Sequence, residues 1–240
     1  MISALKRKLT ALAWSRLGLS WRMKSGITVE IKNRPDFWIF CDIWVNREYD
    51  DAINLALDRM PDDRPLTVVD LGANVGMFAQ RLFDLAFERG LAADRISLLM
   101  VEASPSCCNE IERRLSMQPI SRSSYRVVCG AAGERSGSTF LDESGESIAN
   151  CVAASGTPIE YVDLTKYVAG EIDLLKIDIE GSEERLLASY PDVIANTRSL
   201  IIEIHSNRCD ASRCRDALAG FPNRRNVLSR LDQSVELCWR

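Results

Sequence analysis

The stretch TVVDLGANVG, residues 67–76, decides the fold of this chain of 240 residues. Its first five residues predict a short buried strand, and apolar residues then recur at helical spacing to about residue 89. Between strand and helix, Gly72 and Gly76 let the backbone turn tightly and approach a ligand closely. The stretch therefore predicts the first unit of a fold in which strands and helices alternate.

The same alternation continues towards the C-terminus. Further apolar strands are predicted at residues 96–101, 125–129, 172–177 and 200–204, and a closing hairpin at residues 227–231 and 235–239. Strands that are apolar on both faces and alternate with helices predict a mostly parallel sheet with helices on both faces. We therefore expect a Rossmann-like α/β fold, in which ligands bind beyond the carboxyl ends of the strands.

The first 45 residues follow a different pattern, and we divide the chain into an extension, residues 1–45, and an α/β domain, residues 46–240. Residues 1–26 contain six Lys or Arg, no acidic residue, and apolar residues at helical spacing. They predict a basic amphipathic helix, which either packs on the domain or lies on an anionic membrane surface. Residues 28–31 and 37–45 are predicted strands, separated by a turn at residues 33–36.

Composition narrows the class of protein. The formal net charge of −4 gives no electrostatic reason to expect a nucleic-acid partner. The eight cysteines form no CxxC pair, and the single histidine leaves little for a zinc site. No apolar run reaches the ~18 residues needed to span a bilayer. We expect a cytoplasmic protein with reduced thiols, and membrane association through residues 1–26 is the alternative.

The residues that follow the first three strands predict the ligand. Asp70 suits an ammonium group, directly or through water, and Glu102 can accept hydrogen bonds from both hydroxyls of a ribose. Asn74 replaces the middle glycine that a dinucleotide motif uses to admit a pyrophosphate. An amino acid joined to an adenosine, S-adenosylmethionine, fits these features. The predicted donor-binding residues are Asp70, Gly72, Ala73, Asn74, Gly76, Glu102, Ala103, Gly130 and Ala131.

The catalytic candidates follow the next two strands. Asp178 and Glu180 are two residues apart, so an extended backbone directs both side chains the same way. His205 is the only histidine, and an ordinary imidazole pKa of ~6.5 suits a general base near neutral pH. These groups can bind substrate hydroxyls or accept a proton, and a divalent cation such as Mg²⁺ is an alternative. We assign no residue as a metal ligand.

Four blocks resemble the FkbM-type methyltransferases: residues 70–76, 101–105, 175–183 and 202–205. The most specific is LKIDIEGSE, residues 175–183, and the resemblance covers about residues 45–206. It implies that the domain at residues 46–240 has a class I methyltransferase fold, with a seven-stranded sheet whose last strand is antiparallel. It also implies O-methylation of a sugar, glycolipid or natural product, with Asp178 and Glu180 at the reaction centre.

Three other functions remain open on the sequence alone. An NAD-dependent oxidoreductase is disfavoured by the missing middle glycine. A non-catalytic nucleoside-binding or scaffold protein has no need of the carboxylates after the fourth and fifth strands. A nucleic-acid methyltransferase ranks below both small-molecule and glycan acceptors, because the sequence lacks a basic stripe and a base-clamping motif.

Overall fold

The computed structural model describes residues 18–142, 151–153 and 155–240, together with Trp14. The amphipathic helix predicted within residues 1–26 lies largely outside the described residues. The strands are β1 Leu19–Arg22, β2 Thr28–Ile31, β3 Leu66–Leu71, β4 Ile96–Glu102, β5 Tyr125–Cys129, β6 Ser138–Asp142, β7 Cys151–Ala153, β8 Thr157–Glu160, β9 Ile172–Ile177, β10 Thr197–His205, β11 Asn223–Ser229 and β12 Gln233–Trp239. The α-helices are α1 Arg34–Phe40, α2 Asp50–Asp58, α3 Met77–Glu88, α4 Pro105–Ser116, α5 Glu183–Ser189, α6 Pro191–Ala195 and α7 Ala211–Ala217.

The central sheet has seven strands in the order β11-β12-β10-β9-β3-β4-β5. The five strands from β10 to β5 are parallel, whereas β12 runs antiparallel to both β10 and β11. This confirms the predicted mostly parallel sheet and its C-terminal hairpin. The strand order reverses between β3 and β9, and such a reversal opens a crevice at the carboxyl ends of the strands.

The sheet is buried on both faces. In β3, Val68 belongs to one apolar cluster, with Phe83 of α3, whereas Leu71 belongs to a second, with Leu186 of α5. The predicted covering of both faces is therefore confirmed, and side chains alternate between the two layers as the pleat requires. Between β5 and β9, strands β6 to β8 form a separate three-stranded antiparallel sheet.

The prediction of a strand at residues 37–45 is wrong. This segment is α1 followed by a π-helix, Cys41–Val45. Asn33 caps α1 by accepting a hydrogen bond from the Asp36 amide at 2.8 Å, and Pro35 occupies the first turn, where its missing N–H costs nothing. The buried Asp36 carboxylate also pairs with Arg114 at 2.6 Å. The cap and this distant partner outweigh the β propensity of the aromatic residues.

The N-terminal part of the described chain packs on the domain. β1 and β2 form their own antiparallel sheet, and Ile27, Val29 and Ile43 are buried in the same cluster as Val68 of β3. Across the ranges that the structure describes, no helix has the length and apolar character needed to cross a bilayer.

Candidate functional site

The turn after β3 brings two strand ends together. Gly72 has φ +79°, and a β-carbon there would lie 1.7 Å from the backbone oxygen of Asp178. The amides of Gly72 and Ala73 donate hydrogen bonds to the Val101 carbonyl at 2.9 and 3.2 Å. Only glycine therefore allows the chain after β3 to lie against both the end of β9 and the end of β4.

Glu102 ends β4 as a fixed carboxylate. One oxygen accepts a hydrogen bond from the Asn74 amide at 2.7 Å, and the other accepts one from the Ser104 amide at 2.8 Å. Burial raises the pKa of Glu102 to about 7, although the two amide hydrogen bonds oppose this rise. The carboxylate is thus oriented by backbone alone, and it titrates near neutral pH.

Glu102 lies in the wall of a narrow pocket of about 70 Å³. The other wall residues are mostly small or apolar: Gly72, Asn74, Val101, Ala103, Gly130, Ala131, Ala132, Leu141, Val152, Asp178, Ile179 and Glu180. Six of the predicted donor-binding residues meet here. Ala73 lines the larger neighbouring cavity instead, while Asp70 and Gly76 lie outside the walls of both cavities as the described residues form them.

Asp70 lies beneath the turn and pairs with a lysine. The side chain is fully buried, and its Oδ1 atom accepts a hydrogen bond from Lys176 Nζ at 3.0 Å. Lys176 is the residue beside Asp70 across the β3–β9 pair. The charge of Asp70 is therefore balanced within the protein. Its Oδ2 atom is buried and has no hydrogen-bond partner among the described residues, so a water or an ammonium group suits this position.

A second cavity, of about 550 Å³, adjoins the first. Gly72, Asn74, Asp178 and Glu180 line both cavities. The larger cavity also has three aromatic residues in its wall, Trp38, Tyr49 and Phe78. Its acidic residues are Asp42, Glu48, Asp178, Glu180, Glu203 and Asp232, and its basic ones are Lys176, His205, Arg208 and Arg230. The cavity thus combines aromatic surface with an excess of carboxylates.

Asp178 stands where the two cavities meet. Its Oδ2 atom lies 3.4 Å from the Tyr49 hydroxyl and 3.5 Å from Lys176 Nζ. Its amide donates to the Leu71 carbonyl at 3.0 Å, so the backbone of Asp178 still follows the edge of the sheet. A cation and a hydroxyl donor therefore hold this carboxylate in place beside the turn.

The prediction of extended backbone from Asp178 to Glu180 is wrong, because β9 ends at Ile177 and Glu180 has a strained backbone with φ +53°. A non-glycine residue in this region costs about 1–3 kcal/mol, and such residues concentrate at functional sites. The Glu180 carboxylate pairs with Arg208 Nη1 at 2.7 Å. Burial and the negative charge of Asp178 raise the pKa of Glu180 to about 7. The strained turn presents this carboxylate to both cavities.

His205 is 6% exposed, and Nδ1 lies 2.8 Å from Oε1 of the buried Glu183. Burial lowers the pKa of His205, but the hydrogen bond to Glu183 and the charges of Glu180 and Asp178 outweigh it and raise the pKa to about 9. The imidazole therefore carries a proton at neutral pH. Spacing along the strand placed His205 at the site, but it did not reveal the carboxylates that set this charge.

Several residues of the site were not predicted. Glu203 lies partly buried beside His205, and burial together with the charge of Asp178 raises the pKa of Glu203 to about 8. The period of two that singled out Asp178 and Glu180 also connects Glu203 with His205, so this residue had a signal in the sequence. Tyr49 had none, because it contacts Asp178 across 129 positions of the chain.

The strand order, the glycine turn and the acidic end of β4 define a Rossmann-like class I methyltransferase fold. Residues 70–232 match the model of the methyltransferase FkbM domain. Because this match covers more than half of the chain, the protein belongs to the FkbM methyltransferase domain family. This confirms the resemblance seen in the sequence. No curated protein matches the sequence.

Solved structures agree on the fold. A crystal structure of the methyltransferase FkbM from Methylobacillus flagellatus KT aligns with a TM-score of 0.52 at 15% identity over 83% of this chain. The chain spans 60% of the length of that protein. The N-terminal domain of human METTL16, in complex with SAH, aligns with a TM-score of 0.50 at 11% identity over 92% of this chain and 87% of its own. At these identities the likeness is one of fold.

Proposed function

We propose that the protein is an S-adenosylmethionine-dependent O-methyltransferase that acts on a hydroxyl of a sugar, glycolipid or natural product. One observation carries the proposal: the pocket beside Glu102 and the larger cavity share four wall residues, including Asp178 and Glu180. A donor whose ribose lies at Glu102 and an acceptor in the larger cavity would meet at these carboxylates. The family assignment favours this function over the dinucleotide oxidoreductase considered above.

The residues of the smaller pocket fit the donor. Glu102 presents an oriented carboxylate for the ribose hydroxyls, and Gly130 and Ala131 line the wall against which the base would lie. Asp70 is fully buried and lies outside both cavity walls, so its unpartnered Oδ2 atom would meet the ammonium group through a bridging water. S-adenosylmethionine, when bound, supplies a methyl group on a positively charged sulfur, which is open to attack by an oxygen.

The larger cavity fits a polyhydroxylated acceptor. Ionised carboxylates accept hydrogen bonds and protonated ones can also donate them, so Asp178, Glu180 and Glu203 suit a ligand rich in hydroxyl groups. The aromatic side chains of Trp38 and Phe78 offer apolar surface for the rings of such a ligand. The cavity volume of about 550 Å³ lies within the range of small-molecule sites.

A side chain of the protein would remove the proton of the acceptor hydroxyl. An alkyl hydroxyl is a weak nucleophile, so a base must take its proton as the oxygen–methyl bond forms. Asp178 is best placed for this, because it stands at the shared wall and is oriented by Tyr49 and Lys176. Much of the acceleration then comes from holding the acceptor oxygen in line with the methyl carbon.

The test is methyl transfer itself. The protein is incubated with S-adenosylmethionine labelled in the methyl group and a panel of sugars, glycolipids and phenolic or polyketide compounds, and products are examined by mass spectrometry. We expect a gain of one labelled methyl group at an oxygen. Asp178→Asn should lower turnover by about 10²–10⁴-fold while S-adenosylhomocysteine binding, measured by calorimetry, stays within threefold. Label transferred to nitrogen or carbon, or unchanged turnover in the variant, contradicts the proposal.

A further inference from the structure

We propose that Asp178, Glu203 and His205 form a binding site for a divalent transition-metal ion. One donor atom from each residue can be chosen so that all three lie within 4.8 Å of one another. Two ligands on opposite sides of an ion at about 2.1–2.4 Å are about 4.2–4.8 Å apart. The three side chains are therefore already spaced as ligands of one ion.

The fold explains this spacing. Glu203 and His205 are two residues apart on β10, and extended backbone directs both to the same face. β10 is hydrogen-bonded to β9 in parallel register, with Ile202 beside Ile177. Asp178 follows β9 directly, so it lies beside the end of β10. Two neighbouring strand ends thus supply all three ligands.

The orientation of His205 is independent evidence for an ion. Glu183 is fully buried, and its Oε1 atom lies 2.8 Å from His205 Nδ1 and also accepts a hydrogen bond from the Gly181 amide at 3.0 Å. A histidine that binds a metal usually has its other ring nitrogen fixed in this way by a carboxylate or carbonyl. Glu183 therefore leaves Nε2 as the atom that faces the cluster.

Nε2 has no hydrogen bond within the described parts of the chain. The carboxylate oxygens nearest to it there belong to Glu180 and Glu203, at 3.5 and 3.8 Å. His205 is only 6% exposed and lines the larger cavity, so Nε2 faces that cavity with these two carboxylates beside it. A metal ion between Nε2 and the carboxylates would displace the proton that the imidazole otherwise carries, so binding of the ion would release a proton.

The charges of the cluster also favour a cation. Lys176 lies 3.0 Å from Asp70 and 3.5 Å from Asp178, so its single charge is divided between two carboxylates. Arg208 pairs with Glu180 at 2.7 Å. Glu203 has no ion pair shorter than the 3.8 Å contact with His205 in the described residues. Partly buried carboxylates in excess of their cations are costly, and a divalent ion removes that cost.

The donor set indicates which ion. One imidazole and two carboxylates suit Mn²⁺, Fe²⁺ or Zn²⁺, whereas Mg²⁺ and Ca²⁺ prefer oxygen ligands alone. This distinguishes the site from the Mg²⁺ considered on the sequence. Three protein ligands leave open positions that face the larger cavity. The role of the ion in the reaction rests on the proposed O-methylation: the ion would lower the pKa of the acceptor hydroxyl, and the oxygen of Asp178 that does not bind the ion would take the proton. Binding of the ion does not depend on that function.

The experiment measures metal binding without donor or acceptor. The chelator-treated chain of 240 residues is titrated with MnCl₂ alone, and free Mn²⁺ is followed by electron paramagnetic resonance, with ZnCl₂ tested by competition. We expect saturation at one ion per chain, loss of binding in Glu203→Gln and His205→Gln, and a 10–100-fold weaker affinity in Glu183→Gln. Circular dichroism and thermal unfolding verify that each variant is folded.

Asp232→Asn is the matched control, because it removes one negative charge from the same cavity without touching a proposed ligand. Its Mn²⁺ affinity should stay within threefold of the parent. Absence of saturable binding overturns the proposal, and so does equal weakening by Asp232→Asn and Glu203→Gln, which would show diffuse charge attraction. Saturable binding with no methyl transfer to any hydroxyl supports the metal site and rejects the proposed function.

Discussion

The ends of β3, β4 and β5 and the ends of β9 and β10 form two halves of one site, and they are built by different means. The first half consists of backbone amides, small residues and Glu102, all close to their strands in sequence. The second half consists of charged side chains held by partners far away in the chain, such as Asp178 by Tyr49. The first half can be read from local motifs, and the second depends on tertiary packing.

Gly72 is where the two halves touch, so Gly72→Ala has the largest expected effect. The added methyl would lie 1.7 Å from the Asp178 backbone oxygen, and alanine is strained at φ +79°. We expect a loss of at least about 4 kcal/mol in the free energy of unfolding, together with loss of S-adenosylhomocysteine binding. Urea unfolding and calorimetry measure these two changes.

Gly90→Ala separates backbone strain from the clash. Gly90 has a similar φ of +75°, but nothing lies within 4 Å of the added carbon. This control should lose only about 1–2 kcal/mol and keep full ligand binding. Equal losses of unfolding free energy in the two variants would show that the close approach of β3 and β9 does not exclude a side chain at residue 72.

The next largest expected effect concerns the buried ion pair that supports the second half of the site. Arg114 is buried and pairs with Asp36 at 2.6 Å, which holds α1 and hence Trp38 at the larger cavity. Arg114→Leu leaves the Asp36 carboxylate buried without this partner and should cost about 3–5 kcal/mol of unfolding free energy. Arg213→Leu removes exposed ion pairs with Glu184 and Asp210 and should cost about 0–1 kcal/mol. Similar costs in urea unfolding would refute a special role for the buried pair.

The same contrast explains how much could be predicted. Residues 67–76 and Glu102 were located correctly because strand, turn and helix signals are local. Residues 37–45 were predicted as a strand because their aromatic residues favour one, and the pairing of Asp36 with Arg114 crosses 78 positions that no local pattern reveals. The position of His205 followed from strand spacing, but its charge depends on carboxylates from other segments.

Glu102 allows a test of the first half by pH. Burial raises its pKa to about 7, and the ionised form is the better acceptor for two ribose hydroxyls. Affinity for S-adenosylhomocysteine should therefore rise between pH 6 and pH 8, where the carboxylate loses its proton, and level off above. Glu102→Gln should weaken binding by about 1.5–3 kcal/mol at pH 8. Calorimetry between pH 6 and pH 8 should show a smaller change in affinity for Glu102→Gln than for the parent protein. Comparing the two proteins also removes any contribution from titration of S-adenosylhomocysteine itself.

The smallest expected effect tests whether one distant contact matters to the second half. The Tyr49 hydroxyl lies 3.4 Å from Asp178 Oδ2, a long hydrogen bond, whereas its ring packs edge-on against Phe78 with centroids 5.4 Å apart. Tyr49→Phe keeps the ring and removes the hydroxyl. The activation free energy should therefore rise by about 0.5–1.5 kcal/mol, which lowers turnover by up to roughly tenfold. S-adenosylhomocysteine affinity should not change, because Tyr49 lines only the larger cavity. Steady-state kinetics measure turnover, and calorimetry measures donor affinity. A weaker donor affinity with normal turnover would contradict the separation of the two halves, because a hydroxyl in the acceptor half would then affect binding in the donor half.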